Sequence, residues 1–548
     1  MAAQAENSPE SFDVVILGAG IAGLAAALAA ARMGLRPLVL EKADQIGGIT
    51  VHSYGIIWIG CNHLAEAQGL RDDRDDVLAY MRFIGGGQIS EDKMVAFVDR
   101  SPEALKFFEQ CGIAFRLIAG VTDHYFGTAP GSRGGGRSIE VALISGRELG
   151  AWRERVVTPV DAPSFVTLEE QVAWGGINAF SSWDPALVAE RRTKNMCGKG
   201  LGLIVHFLKA LLAQNVEIRV GQSVGRLAEE EGRVSGVVMA SGKTIAATKG
   251  VMLATGGYHA NPEMAQDYEG MPGMLQEPSS LAPTSITGDG LVLGGEIGAV
   301  IRKVENNLKL QLAYTIPAEK PGELPVCVHA GIVELCSPHT LVVNRAGKRF
   351  ADETFFQGMV PHLREYDALK REYPNLPAFL IFDSQYIERY SFANRPAGSA
   401  VPASVPRARS LRELAAALAI DAAGLEATVR RFNGYVDQGI DEDFHRGESQ
   451  WRLSASNTGK SGNGSLGRIE NPPFYGVRLH PTNSNSTGLL TNANGQVMHH
   501  RRRPIPGLYA GGYVAAPTES GIGYQAGILI ASSMTFGYLA VRHMLGMS

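Results

Sequence analysis

Three glycines and one acid carry the most legible chemistry in this 548-residue chain. Gly18, Gly20 and Gly23 form a Gly-x-Gly-x-x-Gly turn, and Glu41 follows 18 residues past the last of them. Such a turn cradles a pyrophosphate. Gly18 permits the sharp passage from strand to helix, Gly20 lets a phosphate reach the backbone, and Gly23 lets the helix lie close on the strand. The N–H groups and positive dipole end at the start of that helix then face the phosphates. A carboxylate at Glu41 can hold ribose hydroxyls, which calls for a free 2′-hydroxyl and so for FAD or NAD rather than NADP.

The elements that must position these residues are readable around them. Val14 to Leu17 is a short apolar run, an Ala-rich helical stretch follows the turn, and Pro37 to Leu40 is a second run ending at the acid. Further on, Val216 to Val220 reads as a strand. Val224, a charged turn from Glu229 to Arg233 and the run Val234 to Met239 come next. The segment Gly250 to Gly257 is a strand ending in small residues, which let backbone approach an adenosine. A meander returning to the first sheet would complete a nucleotide-binding domain. A third segment runs from Pro504 to Gly512 as strand and turn, then through Gly521 to Gly527 into an apolar helix, Ile528 to Leu545. Nucleotide signals at both ends require an inserted domain, expected over 282–445, with 1–281 and 446–548 as the two parts of the binding domain. Inside the insertion, Phe379 to Phe382 predicts a buried strand and Ser410 to Asn433 amphipathic helices. The Gly/Ser/Asn-rich stretch 455–467 predicts an exposed loop or return crossing. No internal repeat is present.

Composition sets the outer limits. A hydrophobic fraction of 45% and a charged fraction of 19% describe a globular chain, and a net charge of −4 gives no general electrostatic case for nucleic acid. Arg501-Arg502-Arg503 is the basic cluster, read as a solvated turn. Five scattered cysteines, without CxxC or histidine-partner spacing, predict a reducing compartment and neither a metal nor a disulfide framework. The opening residues lack the positive region and apolar core of a signal peptide. The apolar stretch 14–31 is interrupted by the glycine turn, which predicts buried core and not a membrane span. A cytoplasmic enzyme is the expectation.

Gly47-Gly48, just after the acidic strand end, resembles the FAD-binding fold of the large two-dinucleotide-domain flavoproteins, and so points to FAD. Thr50, Ser53 and Gly55 would then run along pyrophosphate and flavin. With Thr287-Gly-Asp-Gly290 and Asn344-Arg-Ala-Gly-Lys-Arg-Phe-Ala-Asp-Glu353, the chain resembles the fumarate reductase/3-ketosteroid dehydrogenase superfamily over nearly its whole length. The ketosteroid dehydrogenase branch is the closer likeness. Gly55 to Asn62 is similar to its flavin-side segment and Ser101 to Glu109 to the helix that follows. Asp123-His-Tyr125, before the glycine loop Gly131 to Arg137, is similar to its substrate-pocket tyrosine site. Tyr524-Gln-Ala-Gly527 ahead of Met534-Thr-Phe-Gly-Tyr538 resembles its carbonyl-binding turn and terminal helix. The resemblance implies an α/β architecture: a Rossmann-like FAD-binding domain built from both chain ends, with an inserted α+β capping domain. It implies non-covalent FAD, with contacts at Ile21, Ala22, Lys42 and Val224, at Thr255, Gly256, Gly257 and Asp289, and at Gly512, Ile528 and Leu529. It implies a hydrophobic cyclic ketone as substrate and leaves the electron acceptor open. The fumarate reductase branch fits less well. Where it carries an active-site arginine, this chain reads Thr354 to Val360, with no arginine until Arg364. His480 alone is thin support for a dicarboxylate clamp and is read as flavin-side or structural.

Dehydrogenating a ketone beside its carbonyl needs a hydride acceptor, supplied by flavin N5, and donors for the enolate that builds as the α-proton leaves. The resemblance assigns the donors to the Tyr524 hydroxyl and the Gly527 N–H, an oxyanion hole worth roughly 3–4 kcal/mol per donor. A terminal helix starting near Ala526 would also aim its dipole at reduced flavin. A base must take the proton. The 1-dehydrogenases place a tyrosine where this chain has Phe355 and Phe356, so the base is expected at His124 or Tyr125, and histidine has the better-matched pKa. The Tyr524-x-x-Gly527 spacing is similar to the ketosteroid 4-dehydrogenases, with Ala526 in place of their serine. The Met534 to Tyr538 run is similar to the 1-dehydrogenases. The ring position therefore stays open, as does a smaller cyclic ketone. The alternatives are a fumarate-reductase-like enzyme acting on an activated double bond of a carboxylate, and a flavin-binding protein without turnover.

Overall fold

The structure is a computed structural model, and it describes residues 10–159, 164–176, 183–271, 282–318, 325–331, 334–449, 463–482 and 486–547. Its principal sheet runs, in spatial order, Gln496–Met498, Pro504–Ala510, Thr244–Leu253, Glu10–Leu17, Pro37–Leu40 and Glu217–Arg219. The last five are mutually parallel, and Gln496–Met498 lies antiparallel at the edge. The unbroken apolar runs are explained by this placement, since Val14 to Leu17 and Pro37 to Leu40 are buried at every position. Val224–Glu230 and Arg233–Met239 form the expected meander, antiparallel to one another and, through Gly236 opposite Ala246, to Thr244–Leu253. Register sets the strand ends flush. Leu17 stands opposite Leu40 and Leu253, and Leu253 opposite Ala510. A crevice at the carboxyl ends of parallel strands is where open α/β sheets take their ligands.

The first helix, Ile21–Arg32, is small-residued along its buried length because the last helix, Ile528–Met544, lies on it. A Cβ built on Gly537 would stand 3.1 Å from both the Ala22 carbonyl oxygen and the Ala26 nitrogen. The two ends of the chain thus share one core, as the α/β architecture with an insertion requires.

The inserted body is built on an antiparallel sheet ordered Val326–His329, Leu312–Ile316, Phe474–Pro481, Ala378–Phe382 and Thr340–Val343. Alternation divides its faces. Leu341, Val343, Phe379 and Ile381 pack under the helices Leu411–Leu418 and Ala422–Gln438, whereas Val342, Leu380 and Phe382 join the core shared with the principal sheet. The expected boundary at 445 falls short of this body. Phe474–Pro481 pairs with both Leu312–Ile316 and Ala378–Phe382, partners distant in sequence that no local pattern displays. Of the expected loop 455–467, residues 455–462 lie outside the described residues, and 463–467 are buried or half-buried, not exposed. The cause is Arg446, whose Nε donates to the Ser465 carbonyl at 3.0 Å and whose own carbonyl accepts from Asn463 Nδ2 at 2.6 Å.

Arg446 also explains the Asn344 to Glu353 motif. Arg349 donates to Glu353 at 2.7 and 2.8 Å and to Asp441 at 3.0 and 2.8 Å, while Arg446 reaches Glu353 Oε2 at 2.9 Å. All four side chains are buried. Burial alone would raise the Glu353 carboxyl, but the two guanidinium groups hold it down at about 2. Among the described residues, no helix is long and apolar enough to cross a membrane.

Candidate active site

A cavity of about 1130 Å³ opens at the flush strand ends, with Leu17, Leu40 and Ala510 in its floor. The glycine turn contributes Gly18, Gly20, Ile21 and Ala22, and the second strand end contributes Glu41 and Lys42. Val224, Thr255, Gly256 and Asp289 come from the middle of the chain. Gly48, Thr50, Ser53, Gly55, Gly512 and Leu529 complete this part of the wall. Gly23, Gly47, Gly257 and Ile528 stand behind it. Gly23 has the packing task read from its position, since a Cβ there would sit 1.9 Å from the Gly18 carbonyl oxygen. Ile528 is core, 2% exposed, Gly47 has a positive φ against Val51, and the Gly257 carbonyl accepts from Gly288 N at 2.9 Å.

The polar groups at this end suit a dinucleotide. Glu41 accepts from Ala19 N at 2.8 Å and Ala43 N at 2.9 Å, so the acid is fixed against the glycine turn, and burial raises its pKa. Lys42 Nζ donates to Thr287 Oγ1 at 2.6 Å and Asp289 Oδ2 at 2.8 Å. Thr255 Oγ1 is buried in the wall with no hydrogen-bond partner among the described residues, an orphan that a ligand hydroxyl or phosphate would satisfy. Together with the bare glycine backbone, these groups fit FAD.

The other end of the cavity is aromatic. The Tyr524 ring lies edge-on to His124 and to Phe356, with centroids 5.1 and 5.5 Å away. Burial pushes its phenol above the ordinary value. Gly527 precedes the terminal helix with φ +95°, and a Cβ there would stand 2.7 Å from Trp58 N and 2.9 Å from Ile56 Cγ2. Only glycine permits both the backbone angle and this closeness.

His124 and Tyr125 part company. His124 lines the cavity; Tyr125 does not. The phenol of Tyr125 packs against Phe355 at 5.4 Å and Phe83 at 6.1 Å, and burial pushes it up to about 12. The expectation that Tyr125 could serve as base is corrected on that ground: adjacent residues point to opposite sides, and only one side is cavity. His124 is buried, its imidazole lowered to about 3 by desolvation and so neutral. Two glutamines hold it. Gln357 Nε2 lies 3.1 Å from His124 Nδ1. Gln525 Oε1 accepts from the His124 backbone N–H at 2.8 Å and from the Tyr80 hydroxyl at 2.5 Å. One residue earlier, Asp123 accepts from Trp58 Nε1 and from Arg137 Nη1, both at 2.8 Å, so the glycine loop that ends at Arg137 anchors the histidine's segment. Nothing in the sequence marks Gln357 or Gln525 beforehand, although Gln525 lies inside the quoted Tyr524 to Gly527 turn. His480 sits on the strand Phe474–Pro481 opposite Ala313, outside the cavity lining, and is structural. No group of three or more His, Cys, Asp or Glu is placed to hold a metal among the described residues.

Sheet, glycine turn and cavity together define a dinucleotide-binding flavoprotein. The chain belongs to the FAD binding domain family, whose sequence pattern it matches from residue 13 to residue 527. It is 32% identical to the 3-oxosteroid 1-dehydrogenase of Mycobacterium tuberculosis, over 97% of this chain and 98% of that protein. It is 34% identical to the 4-oxocyclohexanecarboxylate 2-dehydrogenase of Sinomonas cyclohexanicum, over 98% of this chain and 94% of the relative. Its fold matches the crystal structure of the 3-ketosteroid delta1-dehydrogenase of Sterolibacterium denitrificans in complex with 1,4-androstadiene-3,17-dione, with a TM-score of 0.85, 25% identity and coverage of 98% and 100%. The protein is an FAD-dependent oxidoreductase.

Proposed function

We propose that this enzyme introduces a C=C bond next to the carbonyl of a cyclic ketone of the 3-ketosteroid type. The observation that carries the reading is the meeting of Tyr524, Gly527 and His124 on one apolar wall of a cavity whose other end suits FAD. Likeness over nearly full length to dehydrogenases of 3-oxosteroids and of a 4-oxocyclohexane acid supports it. FAD, held non-covalently, supplies the hydride acceptor.

The chain's residues do the rest. The Tyr524 hydroxyl and the Gly527 N–H hold the ketone oxygen and stabilise the charge that gathers there as the α-proton departs. His124 takes that proton, its ring set by Gln357 at Nδ1 and its backbone by Gln525. Phe356, Ile56, Val121 and Trp183 line the same space and exclude water, which strengthens each of these interactions. We assign residues from 282 to about 482 to the capping body and the remainder to the FAD-binding body, in a cytoplasmic enzyme.

Anaerobic mixing of the purified yellow protein with a 3-ketosteroid tests the proposal: the long-wavelength flavin band should bleach. No bleaching with any cyclic ketone removes the reading, and reoxidation confined to fumarate-like acids would replace it with a reductase of activated double bonds.

A further inference from the structure

The reaction leaves one acidic side chain of the cavity without a task. Glu334, on the capping body, is 2% exposed and yet lines the cavity. Its Oε1 accepts from the Tyr314 hydroxyl at 2.6 Å, and that hydroxyl accepts from Ala393 N at 2.9 Å. A backbone N–H can only donate, so the single phenolic proton is committed to Oε1. Any proton on the carboxyl itself therefore sits on Oε2, and Oε2 has no hydrogen-bond partner among the described residues. Buried polar atoms are rarely left so. Tyr314 is itself fixed, stacked on Phe392 with ring centres 5.3 Å apart and planes 3° from parallel.

The position along the wall gives the orphan a direction. Phe356 meets Tyr524 on one side, and a Cβ built on Gly331 would lie 3.6 Å from the Phe356 ring on the other. Glu334 follows three residues later, beside cavity-lining Ser391 and Asn394. Tyr524 and Gly527 belong to the FAD-binding body, whereas Glu334 belongs to the cap. A ligand that spans the cavity is then gripped from both.

We propose that Glu334, steered by Tyr314, is a second substrate anchor, its outer carboxyl oxygen hydrogen-bonding an uncharged keto or hydroxyl oxygen on the ring farthest from the reacting ketone. The assignment rests on the ketone-dehydrogenase reading above and narrows its substrate to cyclic ketones with a second, distal oxygen. Burial lifts Glu334 to about 7, so the carboxyl retains a proton to give to a keto oxygen and would oppose a ligand carboxylate.

The experiment compares a 3,17-diketosteroid with its 17-deoxy counterpart, reading KM, kcat and anaerobic flavin bleaching at limiting ligand. The holoenzyme should show a KM about 10-fold lower for the diketone at similar kcat. Glu334→Leu should bring that ratio to about one. Glu334→Gln should retain it, because the amide N–H2 takes the place of Oε2 while the amide oxygen still accepts from Tyr314. The Gln variant carries the test if the Leu variant does not fold: loss of the ratio there overturns the anchor. So does a ratio unchanged in Glu334→Leu, or a preference for 4-oxocyclohexanecarboxylate over both steroids. Bleaching by the 17-deoxy steroid without discrimination sinks the anchor and leaves the dehydrogenase reading standing. No bleaching by either steroid or by simple cyclic ketones sinks both.

Discussion

The imidazole of His124 and the phenol of Tyr524 meet edge to face, centroids 5.1 Å apart and planes inclined by 71°. Four hundred residues of sequence separate them, and the Gln525 side chain joins them by accepting the His124 backbone N–H. The proton acceptor and the enolate donor therefore share one support.

Tyr524→Phe removes the hydroxyl without altering the ring contacts to His124 and Phe356. Turnover should fall about 100-fold or more with FAD fully retained. Stopped-flow bleaching of the variant measures this, and an unchanged rate would show that the hydroxyl does not hold the developing charge.

Gly527→Ala sets a Cβ against Trp58 N and imposes a left-handed angle on an L-residue. The angle alone costs roughly 1–2 kcal/mol. Turnover and melting temperature should both decrease, unlike in the tyrosine variant, where only turnover should. A melting curve that overlays the wild type would contradict the close approach at this position.

The pH profile follows from His124. Its imidazole, lowered to about 3, stays unprotonated through the neutral range, so kcat/KM should show no histidine limb between about pH 5 and 8. Gln357→Glu puts a carboxylate beside Nδ1, raises the imidazole pKa and should make an acid limb appear, with activity lost as pH falls through it. Gln357→Leu should lower kcat about 10-fold with KM little moved. A wild-type limb near 6.5 would mean that another group takes the proton.

Thr255→Val keeps the shape and deletes the orphaned hydroxyl. Reconstitution of the apoprotein, followed by flavin fluorescence, should give a dissociation constant for FAD about 10-fold higher. Equal affinity would separate Thr255 from the cofactor.

Arg446→Met leaves Glu353 with one of its two cations, and the buried network should lose about 3–5 kcal/mol of stability in urea unfolding. The sign in pH is set by Glu353, whose carboxyl is held at about 2 against an ordinary 4.5. Its contribution is complete above pH 4.5 and is lost as pH falls toward 2. Wild-type stability should decline over that window more steeply than that of the variant.

The nucleotide end of the site was legible because its demands are local. Gly18, Gly20 and Gly23, the apolar runs on either side and the acid at Glu41 lie within one strand–helix–strand unit, and each has a single steric or electrostatic reason. The catalytic end was legible only by resemblance, and incompletely. Whether His124 or Tyr125 faces the ligand depends on chain direction in a loop without periodicity. Gln357 joins His124 across 233 positions, and an isolated glutamine in a helix carries no signal of that. The limit of the capping body was misjudged for a related reason: Phe474–Pro481 reads as a strand, but strand pattern does not name its sheet, and its partners were made long before it.

The close lie of Ile528–Met544 on Ile21–Arg32 has a consequence for biosynthesis. The phosphate-binding turn emerges from the ribosome almost at once, but the helix that covers it is among the last stretches translated. For nearly the whole of elongation the nascent chain carries an uncovered apolar helix and cannot retain flavin. Late-arriving sequence thus gates loading, and a stop codon before residue 528 would release a colourless, chaperone-bound product, however complete its glycine turn.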